Sequence, residues 1–358
     1  MVHLTAHAQL SPEEERSLIE YLQDFLQDGV VVVIGSGFSA KYGMPVMSAL
    51  ATHLQVKVPG SINPSSMADK AAWALIDAEL QNGSSLETAL QVTNIPSELL
   101  DIVVRESATF IDSTETEVIR AIACGASVPP LGRIVQHILK ASRQLHIVTT
   151  NYDRLIECQL EKSLIPLDTG YVGAYVAFYD SDRSALAHKE YINESKRVRS
   201  VHHPHAYVSK PHGSLDWYID GEKVIRCAER LQLPRAIITP GLTKYRSGYS
   251  PHYEEQRSTA IKALEKATRV LVIGYGFNDD QLEHRWCPNL KTAKRIVILT
   301  KVLTPNATEL VKASTGAYAL CEDPSDFSKT LIFQGPAPPK VCSKKLWDIE
   351  DFTKEVIR

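Results

Sequence analysis

Residues 30–34 are Val-Val-Val-Val-Ile, and the chain runs straight from them into Gly35-Ser-Gly37-Phe-Ser39-Ala40. A run of five β-branched side chains has no polar face to offer to water, so it fits a strand covered on both sides within a parallel sheet. Glycines at the strand end allow a tight turn into a helix. The segment before the run supports this. Ser11, Pro12 and Glu14 form a helix-start signature, Leu18, Tyr21, Leu22 and Phe25 recur at helical spacing, and Gly29 is placed to stop the helix.

The pattern then repeats with an interruption. Residues 45–141 carry apolar residues at helical spacing and alternating start and stop signals, which predicts four to six helices and little strand. Short apolar strands return at 145–149, 236–239, 269–273 and 295–299, separated by predicted helices at 152–162, 251–267 and 281–290. Strands alternating with helices predict an α/β fold: a Rossmann-like parallel sheet covered by helices, with an inserted helical subdomain at about 45–141. Residues 170–210, rich in Tyr, His and Ser, have weak periodicity and are expected to be irregular with short strands. The expected organisation is one catalytic domain over 1–334 and a C-terminal segment, 335–358, set off by a Pro-rich stretch at 335–339 and expected to serve as an assembly contact.

Composition removes several classes. With 44% hydrophobic and 23% charged residues, the 358-residue chain is too apolar to be disordered. Its 39 Lys+Arg against 42 Asp+Glu give a net charge of −3, which argues against a chain-wide nucleic-acid surface. The longest aliphatic run, 30–34, falls far short of the roughly 18 residues a membrane span needs. The polar, then acidic opening is unlike a secretory signal, and six scattered cysteines without a C-x-x-C pair fit reduced thiols in the cytoplasm.

Four loops carry candidate chemistry. Gly35-x-Gly37-x-x-Ala40 fits a dinucleotide-binding turn, but no Asp or Glu occurs between Asp28 and Asp69 to hold a ribose, which disfavours a classical dehydrogenase. Thr149-Thr-Asn151-Tyr-Asp153 follows a second strand, where Asn151 or Asp153 either faces a ligand or caps the next helix. Lys210-Pro-His212-Gly213-Ser214 offers a histidine base. Val272-Ile-Gly274-Tyr-Gly276-Phe-Asn278-Asp279 is a second glycine loop after an apolar strand.

In that order the four loops resemble the motifs of the sirtuin superfamily, specifically its zinc-free bacterial defence branch. Two departures matter. Sirtuin deacylases carry two C-x-x-C pairs for a structural zinc between the Asn and the second glycine loop, where this chain has only Cys158 and Cys227. Their first glycine loop continues into Asp-Phe-Arg, where this chain reads Met44-Pro-Val-Met-Ser48.

The resemblance implies NAD+ as substrate, no zinc, and cleavage of the nicotinamide–ribose bond. It implies Asn151 and His212 as catalytic residues, with Gly35, Ser36, Gly37, Phe38, Ser39, Asp153, Gly274, Gly276 and Asn278 around NAD+. It also implies a homo-oligomer working with a separate HerA-type ring ATPase in abortive anti-phage defence, with no direct nucleic-acid or membrane contact. A protein deacylase or ADP-ribosyltransferase, and a non-catalytic NAD or ADP-ribose sensor, are the alternatives. His202, His203 and His205 form a cluster without carboxylate or thiol partners at ligand spacing, and a metal there is disfavoured. The basic stretch 196–199 is expected to be a solvated loop, with help in binding a phosphate as the alternative.

Overall fold

A computed structural model of the chain describes residues 7–194, 197–238, 250–278, 283, 290 and 295–357. The expected helix at 281–290, together with Thr239, Asp279 and Lys196, lies outside the described residues apart from positions 283 and 290.

In chain order the first elements are β1 (Ala8–Gln9), α1 (Pro12–Phe25), β2 (Val30–Ile34) and α2 (Ser36–Ala40). Helices α3 (Met47–Ser61), α4 (Met67–Gln81), α5 (Leu86–Gln91), α6 (Ser97–Cys124) and α7 (Pro130–Leu139) follow, then β3 (Gln144–Thr149) and α8 (Leu155–Lys162). A strand-rich stretch holds β4 (Leu167–Asp168), β5 (Tyr171–Val172), β6 (Val176–Tyr179), α9 (Ser181–Ala187), β7 (Lys189–Glu194), β8 (Arg197–His202) and β9 (His205–Ser209). It continues with β10 (Gly213–Asp220), β11 (Lys223–Cys227) and β12 (Arg235–Ile237). The chain closes with α10 (Ser250–Lys266), β13 (Arg269–Ile273), β14 (Arg295–Thr300), α11 (Pro305–Ala313), β15 (Ala317–Asp323), β16 (Asp326–Gln334), β17 (Lys340–Cys342) and α12 (Ile349–Val356).

The main sheet runs β1-β17-β16-β15-β14-β13-β2-β3-β9-β4. From β15 to β4 all neighbours pair in parallel, whereas β16 pairs antiparallel with both β15 and β17. The sheet is therefore mixed, with a Rossmann-type parallel centre. β2 lies at that centre and is buried at every position. Its alternate residues serve opposite faces, as a strand requires. Val30, Val32 and Ile34 join the layer built from α1, α7, α8 and α12, while Val31 and Val33 join the layer built from α10 and α11. The capping box on α1 is present, with Ser11 and Glu14 exchanging hydrogen bonds.

Five helices occupy the expected insertion, but they divide. Helices α3 to α5 and the first half of α6 enclose their own core around Leu54, Ile76, Leu90 and Leu99. Helix α7 belongs to the main core through Leu131, Ile134, Val135 and Ile138. Within 45–141, α3 to α5 thus pack on their own core while α7 covers the sheet.

One expectation about strands needs correction, and another is made specific. The segment expected at 236–239 contributes β12 to a separate five-stranded sheet, β12-β10-β11-β6-β5, with antiparallel pairing throughout, and not to the parallel sheet. Within the stretch expected to be irregular, β9 is a fully buried strand of the main sheet. The Pro-rich stretch at 335–339 is the turn of the β16–β17 hairpin, where Ile332 pairs with Lys340. Beyond it, Cys342, Leu346 and Phe352 are fully buried in the main core, so an assembly contact by this segment is left to its outward face.

Candidate active site

Chain order along the parallel strands reverses at β2: from there the chain moves outward to β3 on one side and later returns to β13 on the other. In open α/β sheets the crevice at the carboxyl ends of such strands is where ligands bind. All four motif loops leave the carboxyl ends of parallel strands, β2, β3, β9 and β13.

The two glycine loops are locked together by backbone. Gly35 N–H donates to Ile273 O at 3.0 Å, Gly37 N–H to Gly274 O at 2.9 Å, and Gly274 N–H to Leu299 O at 2.8 Å. A Cβ on Gly35 would lie 2.6 Å from Gly274 O, and one on Gly274, whose φ is +61°, would lie 2.3 Å from Phe38 N. Close approach of the two turns thus explains the glycines at 35 and 274. Phe38 and Ser39 are buried beneath the turn, while Ser36 and Gly37 are exposed at its tip. In the second loop Phe277 holds a φ of +54°, a strained conformation for a bulky residue. It is pinned by Asn306 Nδ2, which donates to Phe277 O at 2.6 Å and to Asn278 Oδ1 at 3.3 Å. Asn278 itself is exposed.

The Asn151 and Asp153 loop separates the two readings given to it above. Asn151 does not cap the next helix. Its Nδ2 donates to Gly35 O at 3.0 Å and to Ser39 Oγ at 2.9 Å, joining the end of β3 to the first glycine loop. A carbonyl can only accept, so the amide nitrogen must face Gly35, and Oδ1 is the group left to address a ligand. Asp153 does serve the helix, its Oδ1 accepting from Leu155 N at 3.2 Å. Burial pushes the Asp153 carboxyl above its ordinary range, against the Lys210 charge and a hydrogen bond from Ser39.

The His212 loop is tied to this segment. Leu215 N–H donates to Tyr152 O at 2.9 Å, Ser214 Oγ to the same oxygen at 3.3 Å, and Ile238 N–H to His212 O at 2.9 Å. His212 is half-buried, and Gly213, with φ +86°, brings its backbone against Ala236 O, leaving no room for a Cβ. The structure therefore brings all four loops to one end of the sheet, with Asn151 and Asp153 both reaching the first glycine loop, Asn151 through Gly35 O and Ser39 Oγ and Asp153 through Ser39.

Sequence reasoning missed the residue that organises the charged half. Lys210 is 1% exposed. Its Nζ donates to Asp153 O at 2.5 Å, to Glu157 Oε1 at 3.0 Å and to Tyr152 O at 3.4 Å. Arg154 is equally committed, pairing with Glu115 of α6 at 2.6 Å and with Asp112 at 3.6 Å. Arg230 and Arg235 also reach Asp112, at 2.9 and 3.2 Å. Burial raises the Glu115 carboxyl despite the opposing Arg154 charge. Burial also opposes ionisation of Asp216, yet Arg226, 2.7 Å away, and Lys210 hold that carboxyl below its ordinary value. The motif loop contained Lys210, but nothing in the local sequence marked it as buried.

The histidine cluster is structural in its contacts. His205 stacks on His188 at 4.5 Å and meets His202 at 5.5 Å. Its Nδ1 faces His203 O at 2.7 Å and its Nε2 faces Gln144 at 3.1 Å, so both ring nitrogens are engaged. Burial, then the neighbouring imidazole, keep His205 and His202 below the usual imidazole range. Among the described residues no group of three His, Cys, Asp or Glu side chains is placed to hold a metal, and no helix is long and apolar enough to cross a membrane.

The family model for a SIR2-like domain matches residues 145–309. That stretch takes in the Asn151, His212 and Gly274 loops and leaves the Gly35 loop outside. No curated protein matches the chain. Among solved structures it is similar to a complex of a Sir2 homolog with NAD at 12% identity and a TM-score of 0.40, covering 85% of this chain and 88% of that one. A sirtuin studied for substrate affinity matches at 12% identity and a TM-score of 0.42, covering 97% and 98%. A complex of Sir2 with a p53 peptide and NAD+ matches at 14% identity and a TM-score of 0.36, covering 80% and 87%. At such identities the chemistry has to be argued from this chain's own residues.

Proposed function

We propose that the protein is an NAD+ hydrolase that cleaves the nicotinamide–ribose bond, consuming water and releasing nicotinamide, ADP-ribose and a proton. The observation that carries this reading is the placement of Asn151. Both its amide hydrogens are spent on the first glycine loop, so its Oδ1 is fixed at the carboxyl end of β3 as an acceptor. An acceptor held there positions a ribose hydroxyl or the attacking water. His212, on the adjoining loop, takes the proton. The leaving group departs neutral, and the transition state is oxocarbenium-like, so catalysis depends on orientation more than on a strong acid. The turn of Gly35, Gly37 and Ser39 takes the pyrophosphate, with Ser36 and Gly37 supplying the exposed tip and Phe38 supporting it from beneath. Gly274, Gly276 and Asn278 flank the adenosine side, and Asp153 supports the nicotinamide end.

The matched SIR2-like stretch supports NAD+ as the substrate, and the lack of paired cysteines between the Asn and the second glycine loop favours hydrolysis over deacylation. Resemblance to the defence branch is what supports a role in NAD depletion during phage infection, in the cytoplasm, as a homo-oligomer beside a HerA-type ATPase.

The test is to incubate the chain with NAD+, alone and with the candidate ATPase and ATP, and to separate the products. Free ADP-ribose and nicotinamide are expected, with turnover falling at least about 100-fold in Asn151→Ala and His212→Ala. Wild-type nicotinamide release from both variants would overturn the mechanism. ADP-ribose recovered as an acyl ester or on protein would point to a transferase, and tight NAD+ binding without release to a sensor.

A further inference from the structure

The peptide group between Asp153 and Arg154 is gripped at both ends by buried charges of opposite sign. Its oxygen accepts from Lys210 Nζ at 2.5 Å, and its N–H donates to Glu115 Oε1. Lys210 directly follows β9, whereas Glu115 comes from the middle of α6 and also accepts from the Arg154 guanidinium. One residue earlier, Tyr152 O takes three donors: Leu215 N–H at 2.9 Å, Ser214 Oγ at 3.3 Å and Lys210 Nζ at 3.4 Å. Loops ordinarily satisfy their backbone with water. Burying an ammonium and a carboxylate to hold one loop peptide is a costly alternative, and it buries them where position matters.

Lys210 is itself fixed from several directions. Its N–H donates to Gln256 Oε1 of α10 at 3.0 Å, and its ammonium reaches Glu157 Oε1 of α8 at 3.0 Å as well as the carbonyls of Tyr152 and Asp153. All three ammonium hydrogens thus have an acceptor. Its own carbonyl accepts from Gly213 N–H at 3.0 Å, which closes the four-residue turn that carries His212. Lys210 therefore belongs to both loops at once. Its backbone shapes the His212 turn, and its side chain holds the backbone that follows Asn151.

We propose that Lys210, with Glu115 opposite it, is a positioning residue for NAD+ cleavage, holding the Asn151 and His212 loops at the separation the reaction needs. The assignment rests on the hydrolase reading. Neither side chain has to touch substrate, since each acts through the Asp153–Arg154 peptide. Asn151 Oδ1 orients the ribose hydroxyl or water whose proton His212 takes, so the two loops must keep register. A displacement of about 1 Å at such a site costs up to about 100-fold in rate.

The test compares kcat and KM for nicotinamide release, under conditions where the wild type turns over. In Lys210→Met/Glu157→Leu both members of the buried pair become apolar, so the fold is expected to survive. The carbonyls of Tyr152 and Asp153 still lose their ammonium, and kcat is expected to fall about 10–100-fold with KM nearly unchanged. Wild-type kcat in this double variant would make Lys210 merely structural and overturn the proposal. Glu115 supplies a second pair of variants should that one fail to fold. Glu115→Gln and Glu115→Leu both remove the charge opposite Arg154, but only Gln keeps an oxygen for the Arg154 N–H. Gln is expected to retain most of kcat and Leu to lose about 10-fold or more. Equal losses in the two would also overturn the proposal. Absence of nicotinamide release from the wild type under every condition is a different result: it removes the hydrolase reading, and the positioning role with it.

Discussion

The turn after β2 and the turn after β13 meet backbone to backbone, with no room for a side chain between them. On the other side of the same crevice, the 151–157 segment meets the 210–216 loop through buried charges, Lys210 with Glu157 and the carbonyls of Tyr152 and Asp153. One half is fixed by shape and the other by electrostatics. Shape is insensitive to pH and intolerant of any added atom. A buried ion pair tolerates small shifts but fails when one partner is lost, because the survivor keeps its desolvation cost without compensation.

The largest effect is expected from Lys210→Met, which strands Glu157 and two backbone carbonyls. It should cost about 3–5 kcal/mol of stability, measured by urea unfolding. Adding Glu157→Leu should recover at least half of that loss. No recovery would mean that the carbonyl contacts dominate and that the half held by charge is misnamed. Next comes Gly274→Ala, where a positive φ and a contact at 2.3 Å combine. About 2–4 kcal/mol is expected, with NAD+ turnover lost before the fold. If its cost fell below 1 kcal/mol, backbone contact would not be what fixes that half.

The smallest effect is the pH response. Burial holds His146 on β3 and His252 on α10 down to about 4, so both stay neutral in the fold. The unfolded chain takes up protons below its ordinary value of 6.5, so the stability these histidines contribute is complete above that pH. It is lost as pH falls from 6.5 toward 4. Each should contribute about 1–2 kcal/mol across that window, since neither ring is fully buried. A His146→Phe/His252→Phe variant should flatten the acid limb of the stability profile, whereas Gly274→Ala should shift the whole profile without changing its slope.

The half fixed by shape was legible in the sequence, and the half fixed by charge was not. Val30 to Ile34 and the glycines that follow are contiguous, so a local reading finds them. Lys210 and Glu157 are 53 positions apart, and Arg154 and Glu115 are 39 apart, so no window joins them. Strand β9, His-Ala-Tyr-Val-Ser, is buried along its length but reads as polar because its side chains find partners inside, such as Gln144 for His205. The short apolar run of β12 announces a strand without saying which sheet it joins. Lys210 stood in plain view within a recognised motif, and only the folded structure shows its charge turned inward.

Helix α6 runs unbroken over 28 residues, a rod of roughly 42 Å. Leu99 and Val103 at one end are embedded in the inserted helical core, Asp112 and Glu115 at its middle grip Arg154, and Ile122 near its far end lines a cavity between α6, α7 and α12. It therefore works as a beam with three bearings. A twist applied to the insertion has a direct mechanical route to the residue beside Asp153, one that bypasses the sheet altogether.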